Sequence, residues 1–188
     1  ACPEPAEGST TLVISPLIAL MKDQVDSLPA ALRSQATTIN SSLDGDELRR
    51  RMEQAADGAY RLVYAAPERL RQPPFLHALR RAGVNRLVID EAHCVSVWGH
   101  DFRPDYLHIA AARQQMGSPA TAALTATATP RVQDDIVEQL GIPAARRVIT
   151  GFNRPNLTFE VRYTPDAASK LAAVRELLTD LPRGAAII

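Results

Sequence analysis

Three short runs of contiguous apolar residues, Leu12-Val13-Ile14, Leu62-Val63-Tyr64 and Leu87-Val88-Ile89, recur between longer stretches of mixed polarity. A strand with one wet face alternates apolar and polar residues, whereas a strand covered on both faces does not. Parallel neighbours also need a long crossover, usually a helix, between them. Contiguous apolar strands separated by helical stretches therefore predict an α/β fold of doubly wound type, a parallel sheet with helices on both faces. With 188 residues, 46% of them hydrophobic, the chain has enough apolar side chains to bury such a core.

The remaining elements follow from local signals. Ser15 as N-cap and Pro16 at the first helical position predict a helix to about Leu28. A weaker strand is expected at Ala36–Ile39, a charged helix at Asp46–Ala56, a helix at Pro74–Arg81 and another from Pro104 to Met116. Thr121–Thr125 reads as a strand, Thr129-Pro130 as the start of a helix to Leu140, and Arg147–Ile149 as a further strand. After Gly151–Asn156 the pattern restarts: Leu157–Tyr163 is strand-like, Ala167–Leu178 helical, and Ala185–Ile188 opens another apolar run.

Composition removes several classes of protein. No apolar stretch approaches the roughly 20 residues of a membrane span. Two distant cysteines, Cys2 and Cys94, make no disulfide framework, and the start has no signal-peptide pattern. A cytoplasmic protein, nucleoid-associated if bacterial, is the expectation. The net charge is zero, so charge alone argues for no nucleic-acid partner. All but Lys22 and Lys170 of the 21 basic residues are arginine, which suits phosphate forks and base stacking, although a GC-rich genome produces the same bias.

Chemistry concentrates between Asp90 and Pro104. Asp90 and Glu91 end an apolar strand, and in open α/β sheets ligands bind outside the carboxyl ends of the strands. There an aspartate can hold a hydrated Mg²⁺ while a neighbouring glutamate polarises an attacking water, with His93 close to the scissile phosphate. Trp98, Phe102 and Arg103 follow within a dozen residues and suit stacking on unpaired bases. Structural readings compete: a solvated acidic loop at Asp90-Glu91, and a core brace made by Trp98 and Phe102. Gly99, His100 and Asp101 disfavour a buried element there. A zinc cluster of His93, Cys94, His100 and Asp101 is disfavoured because structural zinc favours close cysteine pairs.

Asp90-Glu91-Ala92-His93 and the segment Cys94 to Tyr106 resemble motif II and the aromatic-rich loop of superfamily 2 helicases of the RecQ family. Ser15 to Val25 resembles motif Ia, Ala66 to Leu70 motif Ib, Leu124 to Thr129 motif III, and Phe152 to Leu157 the passage between two RecA-like lobes. The bare Asp-Glu-Ala-His is moderately specific; its extension through Trp98 to Pro104 is highly so. The resemblance covers roughly residues 10 to 160. It implies an ATP- and Mg²⁺-dependent DNA helicase moving 3′ to 5′, with Asp90, Glu91 and His93 catalytic. Single-stranded and duplex or forked DNA are the implied partners, and repair or recombination the implied setting. By the same resemblance Trp98, Phe102 and Arg103 couple DNA to hydrolysis. Ser15, Lys22, Pro67, Glu68 and Arg69 line the DNA path, Thr125 and Thr127 relay between the sites, and Asn153 and Arg154, in the passage between the lobes, belong to the same DNA-binding and coupling set. For any single residue on that path, capping or salt bridging is an equal reading.

The implied domains are a first lobe at residues 1–150, a passage at 151–163 and the start of a second lobe at 164–188. No Walker A pattern occurs, since neither Lys22 nor Lys170 follows a glycine. The expectation is a fragment that lost this loop before Ala1 and does not hydrolyse ATP by itself. An RNA helicase, another translocase with the same tetrapeptide, or a non-catalytic single-stranded DNA-binding protein are the rival functions.

Overall fold

A computed structural model describes residues 9–151 and 155–180. The chain divides into two compact units between Arg146 and Arg147.

The first unit is built on five parallel strands: β1 (Thr10–Ile14), β2 (Ala36–Ile39), β3 (Leu62–Ala65), β4 (Val84–Ile89) and β5 (Ala120–Ala123). They lie in the order β2-β3-β1-β4-β5. Between them run α1 (Ile18–Asp26), α2 (Ala30–Arg33), α3 (Gly45–Ala56), α4 (Pro73–Ala82), α5 (Ile109–Gln115) and, after β5, α6 (Pro130–Gln139). Both sheet faces are covered, as contiguous apolar strands require. Leu12, Ile14, Leu87 and Ile89 share the larger core with Phe75 and Leu79 of α4 and Val132 and Ile136 of α6. Val13 and Tyr64 point the other way, onto Met21 of α1.

Local chemistry starts and stops these helices. The Asp44 carboxylate accepts the Glu47 N–H at 2.8 Å ahead of α3, satisfying a donor the helix leaves unpaired. Thr129 caps α6 in the same way, and Pro130 opens it. Gly83 ends α4 at φ +69°, a conformation that side chains with a Cβ disfavour.

Three expectations are corrected. Ser15 is not a helix cap: α1 begins at Ile18 after Leu17, because the Ser15 hydroxyl is engaged elsewhere. Arg147–Ile149 forms no strand, and Val148 and Ile149 are exposed. Leu157–Tyr163 likewise lacks strand structure, with Phe159 91% and Val161 96% exposed. Alternating apolar residues make a strand only where a neighbour supplies the other half of each hydrogen bond. Among the described residues the second unit has one regular element, α7 (Ala167–Asp180). The Ala185–Ile188 run, Asn153 and Arg154 lie outside the described residues.

Candidate nucleotide and nucleic-acid site

Parallel strands bring four loops to one edge of the first unit. Beyond the strand ends the ladder continues for one more bond: Ser15 N–H to the Ala65 carbonyl at 3.2 Å, Asp90 N–H to Ile14 at 2.8 Å, and Leu124 N–H to Ile89 at 2.8 Å. Ser15, Asp90 and Leu124-Thr125 are therefore held in register by backbone before their side chains act.

Asp90 is anchored from both sides. Ser15 Oγ donates to Oδ2 at 3.1 Å and the Glu91 N–H donates to Oδ1 at 2.9 Å. Each oxygen keeps a lone pair, since an ionised carboxylate offers about four acceptor positions. Tyr106, fully buried, donates its phenol to the Asp90 carbonyl at 3.0 Å. That burial pushes the phenol pKa up, so it stays a donor. Among the described residues no lysine or arginine pairs with Asp90 or Glu91. Two adjacent carboxylates without a cationic side chain between them fit a hydrated divalent cation.

Glu91 takes the left-handed conformation, φ +47° and ψ +45°. In a residue with a Cβ this costs roughly 1–2 kcal/mol. The Asp90 side chain and the Ala92 N–H bond to the Leu124 carbonyl at 2.9 Å hold it there. The turn sends the chain into a short 3₁₀ helix, Ala92–Val95, and brings the Glu91 carboxylate within 3.2 Å of His93 Nδ1. The same nitrogen lies 2.9 Å from Thr125 Oγ1, which also accepts the Thr127 N–H at 3.2 Å. Glu91, His93, Thr125 and Thr127 thus form one polar chain between β4 and β5.

The aromatic loop is tied to this centre rather than hanging from it. The Arg103 N–H donates to the Cys94 carbonyl at 2.9 Å, and its guanidinium grips Asp101 and reaches the Pro16 carbonyl at 3.4 Å. The guanidinium holds the Asp101 carboxyl below the usual carboxylate range. His100 stacks on His93 with ring centroids 4.4 Å apart. Gly99 packs so tightly that a Cβ would sit 2.6 Å from the His93 carbonyl oxygen. On the outside of the loop, Trp98 is 57% exposed, whereas Phe102 is half-buried.

A model of the DEAD/DEAH box helicases matches residues 3–136. The chain belongs to that family. It is 51% identical over 153 residues to the ATP-dependent DNA helicase RecQ of Bacillus subtilis, covering 81% of this chain and 26% of that protein. It is 39% identical over 170 residues to the probable ATP-dependent DNA helicase RecS of the same organism, 90% of this chain and 34% of the relative. The chain thus spans about a quarter to a third of the length of these curated relatives. The crystal structure of the Pyrococcus furiosus Hef helicase domain superposes with a TM-score of 0.50 at 20% identity, over 72% of this chain and 28% of that one. That likeness is one of fold, and the parallel sheet is the RecA-like arrangement of a helicase lobe.

Not every residue expected at the site is available there. Asp90, Glu91, His93, Ser15 and Thr125 are brought together, with Ser15 only 2% exposed and serving Asp90. Lys22 is exposed on α1, and Pro67 and Glu68 open the 3₁₀ turn after β3. Arg69 is 7% exposed, and its guanidinium ties the Asn40 carbonyl to the Gln72 side chain, the latter at 3.0 Å, which is the structural reading of this residue. Ligand-capable atoms of His93, Cys94 and Asp101 lie within 4.8 Å of one another, three of the four residues in the zinc reading. Asp101 is committed there to Arg103, and His93 to Thr125 and Glu91.

Burial pushes the Cys94 thiol up to about 11, from an ordinary value of 9.0. A thiol whose folded pKa is raised favours the native state below pH 9.0, and that contribution fades as pH rises through about 11. Native protein at pH 8 is expected to leave Cys94 unalkylated by iodoacetamide, with labelling appearing in urea. Mass spectrometry of the Cys94 peptide reads this, and rapid native labelling would contradict the burial.

Proposed function

We propose that this chain is the nucleotide- and DNA-facing part of the first motor lobe of an ATP-dependent DNA helicase. It couples single-stranded DNA at the aromatic loop to hydrolysis at Asp90-Glu91, and the whole protein moves 3′ to 5′ while opening duplex or forked DNA in repair or recombination. The observation that carries the proposal is the short path of contacts between the two centres. Arg103 reaches the Pro16 carbonyl, and the adjacent Ser15 holds Asp90. A displacement of the loop by DNA is thereby felt at the metal-binding carboxylate.

Asp90 would hold the Mg²⁺ through water, oriented by Ser15 and the Glu91 N–H. Bound there, Mg²⁺ and ATP supply the phosphoanhydride to be broken and the cation that offsets charge on its oxygens. Glu91 accepts a proton from the attacking water. His93, bridging Glu91 and Thr125, carries the state of that glutamate to the β5 loop. Trp98 offers its ring to bases whatever their identity, and arginine at the loop suits a backbone that carries no sequence information.

Trp98 is the only tryptophan, so its fluorescence reports on the loop directly. Titration with oligo-dT is expected to change it, more weakly at higher salt. Trp98→Ala, followed by anisotropy of labelled DNA, is expected to cost about 1–3 kcal/mol of binding. A larger response to duplex DNA or to single-stranded RNA would count against a single-stranded DNA track. No response from any nucleic acid would remove the coupling role.

A further inference from the structure

The guanidinium of Arg131 lies 3.4 Å from the centroid of the Trp98 ring, stacked on one face. Arg131 is the second residue of α6, which follows directly on the segment from Thr125 to Thr129. A ring with one face covered at contact distance and 57% of its residue surface still exposed presents its other face outward. A base can stack on that open face without displacing the arginine.

We propose that Arg131 is a positioning residue for nucleic-acid binding, bracing Trp98 from behind so that an unpaired base completes a sandwich of guanidinium, indole and base. This rests on the proposed stacking role of Trp98. Three features support the brace. An exposed tryptophan on a loop otherwise samples several rotamers, and holding one of them in advance reduces the entropy lost on binding. The planar guanidinium matches the indole face as an ammonium does not. Third, a cation in the first turn of a helix opposes the helix dipole, and the ring's negative face offsets this.

The brace also gives the loop a second connection to the hydrolytic centre. Arg131 follows Thr129, the cap of α6, and four residues before that cap Thr125 contacts His93. The Arg103 path ends at Asp90, whereas this one ends at the Glu91-His93 pair. A base that tightens Trp98 against Arg131 would therefore bear on the start of α6 and the loop preceding it.

The test combines Arg131→Ala, Arg131→Lys and Trp98→Ala, in the full 188-residue chain, with oligo-dT as the probe. Without DNA, Arg131→Ala is expected to raise acrylamide quenching of Trp98 by opening the second ring face. It is also expected to weaken oligo-dT binding by about 2- to 5-fold, the order of the side-chain ordering cost that the brace removes. Arg131→Lys should restore part of both effects. In the Trp98→Ala background, Arg131→Ala should change binding little, because its effect passes through the ring. A loss of the same size in both backgrounds would overturn the brace and make Arg131 a simple phosphate contact. Unchanged quenching and binding in Arg131→Ala would overturn it too. If wild-type chain binds oligo-dT without any Trp98 response, the stacking role fails first and the brace with it. A wild-type response together with a silent Arg131→Ala removes the brace alone.

Discussion

Tyr106→Ala is expected to lower the unfolding free energy of the first unit by about 3–5 kcal/mol, the usual cost of deleting a buried aromatic ring. Tyr106 is 0% exposed and belongs to the larger core with Leu87, Ile89 and Ile109. Its removal leaves a cavity directly under the Asp90 turn and takes away the phenol that pairs the Asp90 carbonyl. Domains of this size have only about 5–15 kcal/mol in hand, so the variant should sit near the edge of folding. Tyr106→Phe separates the two roles: it keeps the ring and removes one hydrogen bond, for about 1 kcal/mol. Urea unfolding followed by circular dichroism measures both, and a midpoint shift worth under about 1 kcal/mol for Tyr106→Ala would mean the core closes over the gap.

Gly99→Ala is expected to remove the DNA response of Trp98 while leaving most of the secondary structure in place. The added Cβ would lie 2.6 Å from the His93 carbonyl oxygen and 3.2 Å from that of Ser96. Both are backbone atoms, and the Gly99 N–H is itself bonded to the Ser96 carbonyl at 3.0 Å. No side chain can swing aside, so the loop must open. Forced overpacking of this kind costs about 1–3 kcal/mol. The opening separates Trp98 from Arg131 and loosens the His93–His100 stack. Fluorescence titration of the variant with oligo-dT, beside its thermal melt, is the measurement. A normal titration with a normal melt would show that the tight fit at Gly99 does not set the loop.

Much of the first unit is legible in the sequence, for identifiable reasons. Leu12-Val13-Ile14 is buried on both faces, and in Leu87-Val88-Ile89 the two outer residues are buried and Val88 half-buried; contiguous apolar residues of strand length have few other fates. Asp90 and Glu91 follow directly on an apolar run of strand length, and a strand end in a parallel sheet is where ligands bind. Thr129-Pro130 marked the start of α6 because cap and proline chemistry is local. The errors and the readings left open share one origin. Ser15 carries a good capping side chain, yet the Asp90 carboxylate, 75 residues away in sequence, takes its hydroxyl. Arg69 reads as a surface cation until the Asn40 carbonyl claims it across 29 residues. Val148, Phe159 and Val161 have strand composition, but composition cannot supply a partner strand.

Near-neighbour chemistry sets the strand and helix periodicities, the capped helix starts, the acidic pair at the end of β4 and the aromatic side chains that follow it, and all of these can be read along the chain. Folding decides which of these groups meet. It joined Ser15 to Asp90 and His93 to Thr125, placed Tyr106 beneath the acidic turn and laid Arg131 on Trp98, 33 residues away. Hydrogen bonds and ring contacts act over only a few ångströms. Whether two such groups come that close is set by the packing of the whole sheet, not by the residues beside each of them.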